Sequence, residues 1–114
     1  MKCQGRYGVI DTGLTIKKIK KEIQSTLTGD DIYGVWGFGS FFREERYNDI
    51  DILIVVKPGS KNALGEYYES KKRLDEISEK IGVPIDMTFL TYTEYCERPL
   101  LEMNNLLTIF ENET

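Results

Sequence analysis

Residues 49–56 read DIDILIVV, and the way this stretch alternates decides the fold. In an extended chain every second side chain shares a face, so Asp49, Asp51, Leu53 and Val55 line one side and Ile50, Ile52, Ile54 and Val56 the other. Past the aspartates both faces are apolar, as in a central strand covered above and below. Lys57-Pro58-Gly59 ends it. Two carboxylates at the mouth of a buried strand gain nothing from burial, so they ask for a cation.

Upstream, Ile16, Ile19, Ile23 and Leu27 recur at helical spacing across Leu14 to Leu27, with Lys17, Lys18, Lys20 and Lys21 facing away. An amphipathic helix is expected there, stopped near Gly29, with the lysines read as a solvated face. Tyr33 to Phe38 (YGVWGF) has the aromatic and β-branched character of a strand, and Ser40 stands where a short helix can start, anchored by Phe41 and Phe42. Downstream, Asn62 to Ile81 carries a second 3.6-residue period and Gly82 a stop signal. Pro84 to Thr91 (PIDMTFLT) reads as another strand. A helix follows from about Thr93, interrupted or bent at Pro99, and Leu106 to Phe110 reads as an edge strand. The order predicts an α/β mixed sheet of three to five strands flanked by helices.

At 114 residues the chain is expected to form one domain, 1–114, with no room for a second substrate domain. Its net charge of −4 argues against steady nucleic-acid binding, so nucleic acid is expected only as an acceptor. No run approaches the roughly 18 apolar residues a membrane helix needs, and the N-terminus lacks the apolar core of a secretory signal, so a cytoplasmic protein is expected. Cys3 and Cys96 form no ligand spacing and are expected to be free thiols. Histidine is absent, which removes Ser-His-Asp and Cys-His chemistry and leaves carboxylates, hydroxyls, Lys, Arg and Tyr.

Asp49 and Asp51, at i and i+2 of one strand, stand side by side with Cβ atoms ~6–7 Å apart. They repel unless a cation lies between them. Hard oxygen ligands suit Mg²⁺, which commonly takes one or two carboxylates and completes its shell with water and substrate phosphate. Asp86, between Ile85 and Met87, is a third carboxylate that converges on the pair if the two strands are neighbours. Three such acids are a ligand set for two divalent ions in an in-line phosphoryl displacement. Gly39-Ser40, at the end of the preceding strand, offers backbone N–H groups and a hydroxyl to an anion. Each piece alone has an ordinary explanation: solvated acids at a sheet edge, a turn, a strand-end carboxylate. Their conjunction points to a phosphate and metal site.

The pattern of Gly39-Ser40, a spacer of about ten residues, Asp49-x-Asp51 on a hydrophobic strand and a later Asp86 resembles the nucleotidyltransferase superfamily that includes DNA polymerase beta, in particular its minimal branch. The resemblance implies Mg²⁺, two ions, held by Asp49, Asp51 and Asp86 as catalytic and metal residues. It implies nucleotide phosphates on Gly39 and Ser40, with Arg43 within reach of the triphosphate; the competing reading of Arg43 is an ion pair with Glu44 or Glu45. ATP or another NTP is the implied substrate, a nucleoside monophosphate the transferred group, and Asp86 the residue nearest the acceptor. Three positions depart from the pattern: Asn48 replaces a common serine, Glu44 a frequent glycine, and Phe41-Phe42 makes the turn bulkier.

Two functional classes follow. One is an enzyme, the antitoxin-type member of a pair with a HEPN-type helical protein, or a homo-oligomer. The other is an antitoxin or regulatory subunit that uses the same fold to bind a partner, with transfer slow or absent. Its candidate contact surface is the apolar set Leu100, Leu101, Met103, Leu106, Leu107, Ile109 and Phe110, most of which reads more readily as core.

Overall fold

The computed structural model describes residues 14–97 and 105–112. Seven elements follow in the expected order: α1 (Ile16–Thr26), β1 (Ile32–Phe38), β2 (Ile50–Val56), α2 (Ala63–Ile81), β3 (Ile85–Leu90), α3 (Tyr92–Glu97) and β4 (Leu107–Glu111). The four strands form one mixed sheet ordered β3-β2-β1-β4. β1 pairs antiparallel with both β2 and β4, while β2 and β3 run parallel, with α2 as the crossover between them. This is a mixed sheet flanked by helices, as the sequence predicted.

The helices start and stop for local reasons. Thr15 caps α1 by accepting from the Lys18 amide at 3.1 Å. Gly82 ends α2 in the left-handed region at φ 75°, donating its amide to Ser78 O at 2.8 Å. α1 buries Ile19 and Ile23, and α2 buries Leu74 and Ile77, against the face of β2 that carries Ile50, Ile52 and Ile54. The opposite face holds a smaller cluster of Trp36, Phe38, Leu53 and Val55. There Tyr95 of α3 stacks on Trp36 at 4.8 Å. β2 is therefore buried on both sides, as its sequence required, and each of its fully covered aliphatic side chains contributes about 1.5–3 kcal/mol. The described part of the C-terminal run is mainly packing, since Ile109 is buried while Leu106, Leu107 and Phe110 are half-buried. Leu100, Leu101, Met103 and Pro99 lie outside the described residues.

α1 carries a local conflict. Lys17, Lys18, Lys20 and Lys21 stand at like-charge i,i+3 and i,i+4 spacings, each such pair costing about 0.2–0.5 kcal/mol. Lys17 and Lys18 also sit in the first turn, beside the positive end of the helix dipole, and no acid is there to offset them. No helix among the described residues is long and apolar enough to cross a membrane. Cys96 is a free, exposed thiol, and Cys3 lies outside the described residues.

Candidate active site

Three strands end together at one edge of the sheet. Phe38, the last residue of β1, is the register partner of Asp51, and Asp51 is in turn the partner of Asp86 across the parallel β2–β3 pair. Asp49 stands just before β2. By strand alternation Asp51 shares a side with Leu53 and Val55, so the acids emerge toward α3, away from the large core under α1 and α2. Each of Asp49, Asp51 and Asp86 offers one carboxylate oxygen, and all three oxygens lie within 4.8 Å of one another. Asp49 and Asp51 are half-buried and Asp86 is exposed, so the cluster is fixed from within and open on the β3 side.

Burial pushes the Asp49 carboxyl above its ordinary value, and the hydrogen-bonded, like-charged Asp86 carboxylate pushes it further; a hydrogen bond from its own backbone amide works the other way. Asp49 and Asp86 are thus poised against each other. Ligand oxygens on one Mg²⁺ lie roughly 3–4 Å apart, given metal–oxygen distances of about 2.0–2.1 Å, so the observed spacing needs little contraction to surround an ion. An all-carboxylate set is also the chemistry a hard divalent cation requires.

The loop after β1 faces this cluster. Gly39 has φ 83°, a left-handed conformation, and a Cβ added there would run into the Asp51 carboxylate. Its bare backbone is what lets the loop approach the acids. The following residues make one helical turn: Arg43 N donates to Gly39 O at 3.2 Å and to Ser40 O at 3.1 Å. It closes immediately, with Glu44 N on Phe41 O at 3.1 Å and Glu45 N on Ser40 O at 3.0 Å. That 5→2 and 6→1 pair is a Schellman closure, with Glu44 in its left-handed position at φ 61°. The expected short helix at Ser40 is therefore a single turn. The amides of Ser40, Phe41 and Phe42 have no backbone acceptor among the described residues, and the turn they open lies beside the acids.

Phe41 is buried, in edge contact with Phe42 at 5.0 Å and Tyr47 at 4.7 Å, and Phe42 lies over the bare Cα of Gly37. The aromatic pair pins the turn to the sheet. Arg43 is ion-paired through Nε to Glu45 Oε1 at 3.1 Å, with both side chains about half exposed at 51% and 57%. The Arg43–Glu45 pair is one of the two pairings the sequence left open. What escaped the sequence reading was the seat that Gly37 makes for Phe42. The glycine-for-Glu44 departure was the available signal for the strained position.

The chain matches the family model of the nucleotidyltransferase domain over residues 16–106. Among solved structures, a proposed nucleotidyltransferase from Sulfolobus solfataricus superimposes with a TM-score of 0.61 at 18% identity, covering 100% of this chain and 96% of that one. A variant of the toxin-antitoxin MntA-HpeT with two Asp-to-Glu changes superimposes with a TM-score of 0.54 at 12% identity, covering 88% of this chain and 75% of that one. No curated protein matches the chain significantly. The family match spans most of the chain and includes the converging acids and the loop that faces them, so the chain belongs to the nucleotidyltransferase domain family.

Proposed function

We propose that the protein, acting as one domain, transfers a nucleoside monophosphate from an NTP, with ATP the expected donor, to a hydroxyl acceptor. The observation that carries the reading is the gathering of the Asp49, Asp51 and Asp86 oxygens within 4.8 Å, beside the Gly39 turn. Asp49, Asp51 and Asp86 would hold two Mg²⁺ ions, which when bound neutralise the triphosphate and make the acceptor hydroxyl a better nucleophile. Gly39 admits the phosphates to the cluster, and Ser40 with the neighbouring amides orients them. Arg43 exchanges Glu45 for phosphate oxygens. Asp86, the exposed member, faces the acceptor and takes its proton as the oxygen attacks the α-phosphorus and pyrophosphate departs.

The toxin-antitoxin described for one structural relative supports a second reading, in which the fold works as the antitoxin-type partner of a HEPN-type helical protein and transfer is slow. The two readings are compatible, since a partner seated beside the acids can add to the wall of the substrate site. Incubation with α-labelled ATP and Mg²⁺ tests the first: label on a hydroxyl acceptor, lost in Asp49→Asn and Asp51→Asn, supports transfer. Calorimetry that finds no magnesium-dependent uptake of any triphosphate would sink it. Asp86→Asn is expected to suppress transfer while sparing most triphosphate binding; equal loss of both would make Asp86 a ligand only.

A further inference from the structure

We infer that the lysine face of α1 is a docking surface for an acidic segment of a partner protein. The inference deepens the partner half of the proposed function and rests on it, while standing apart from catalysis. Elsewhere several cations are matched, Arg73 with Glu69 and Glu76, Lys71 with Asp75, Lys80 with Glu22 and Arg43 with Glu45, while Lys57, Lys61 and Lys72 stand without an ion pair among the described residues and apart from one another in sequence. Lys17, Lys18, Lys20 and Lys21 have no ion-pair partner among the described residues. The nearest acid on the same helix, Glu22, is held by Lys80 at 2.8 Å. A chain of net charge −4 thus gathers four unmatched lysines on one short helix, where like-charge spacing and, for Lys17 and Lys18, the helix dipole oppose them. An external anion relieves both.

The geometry favours protein over nucleic acid. Lys17 borders a surface groove floored by Leu14, Ile16, Phe41 and Tyr47, which offers apolar seats beside the charges. Glu44 and Glu45 also line this groove, so the partner's acids belong over the lysines and its apolar residues over the groove. At 11 residues α1 is about 16 Å long, enough to face a few carboxylates on a helix but small against the strongly positive surfaces that grip nucleic acid. Acids at i,i+3 or i,i+4 on a partner helix match the lysine spacing, with apolar residues between them for the groove.

The test replaces Lys21 with the photocrosslinking residue p-benzoylphenylalanine in the full chain in cells, with Tyr68 on exposed α2 as the control position. The expected product is a peptide whose acidic residues clearly outnumber its basic ones. Lys17→Glu with Lys18→Glu should lower its yield at least about fivefold, and Lys17→Arg with Lys18→Arg should preserve it. A nucleic-acid adduct, a peptide without acidic excess, a second copy of this chain, or a yield indifferent to charge reversal would each overturn the inference. Magnesium-dependent triphosphate uptake should survive the Glu variants, and the adduct should survive Asp49→Asn. Loss of triphosphate uptake with the adduct retained would therefore count against the transferase reading alone.

Discussion

Asp51 faces Asp86 directly across the parallel β2–β3 pair, and Asp49 brings its carboxylate against the same Asp86. Without a cation this arrangement is repulsive, and directly opposed like charges in a sheet cost up to about 1 kcal/mol. Asp49→Asn is therefore expected to stabilise the metal-free protein by about 0.5–1 kcal/mol in urea unfolding. The same change should remove the stabilisation that Mg²⁺ or Mn²⁺ gives the parent protein, about 2.7 kcal/mol at a hundredfold excess over the dissociation constant. A variant less stable than the parent in the absence of metal would show that the Asp49 carboxylate makes a net favourable contact in the folded protein.

Gly39 meets two demands that no other residue meets. Its φ of 83° disfavours any side chain, and a Cβ would strike the Asp51 carboxylate. Gly39→Ala is expected to cost about 1–3 kcal/mol of stability from backbone strain alone. It should also weaken triphosphate uptake by displacing Asp51 or the loop. Calorimetric titration with ATP and Mg²⁺ separates the two effects, and unchanged affinity would mean the loop approach is not used for phosphate.

The turn closed by Glu44 provides a test of local strain. Glu44 occupies the left-handed position of the Schellman closure, where an L-residue costs roughly 1–2 kcal/mol relative to its preferred conformation. Glu44→Gly should be neutral or stabilising by up to about 1 kcal/mol, after the entropy glycine adds to the unfolded chain. Glu44→Val, β-branched at the same φ, should destabilise by about 1–2 kcal/mol or more. Thermal melts of the two variants moving in the same direction would contradict the assignment.

These contrasts show where the sequence was legible. The two-sided apolar alternation of Ile50 to Val56 demanded a central strand, and i,i+2 spacing put Asp49 and Asp51 together, because both follow from local geometry. The partnership of Asp51 with Asp86 depended on which strands are neighbours and in what direction, a property of the crossover through α2 that no local pattern encodes. The extent of the Ser40 turn was not legible for a similar reason: its closure depends on Glu44 accepting a conformation that its residue type resists. Once that closure forms, Glu45 is brought back to the start of the turn, which selects it over Glu44 as the partner of Arg43.

Glu66 supplies a pH signature remote from the acids. It lies in the first turn of α2 with its carboxylate against Gly29, and burial raises its pKa above the ordinary value, with Asp31, Glu69 and Asp30 adding repulsion. A carboxyl whose folded pKa exceeds its unfolded pKa binds its proton more readily in the native state. Below the ordinary carboxylate range both states are protonated and the native state pays no penalty. As pH rises through the raised value the native state must hold an unfavourable charge, and stability falls. Glu66→Gln should therefore be more stable than the parent near pH 7, with the difference shrinking toward zero as pH drops below about 4. Paired urea unfolding curves at pH 7 and pH 4 measure it. A Gln variant less stable at pH 7 would mean that the positive helix N-terminus beside Glu66 outweighs its burial and its acidic neighbours.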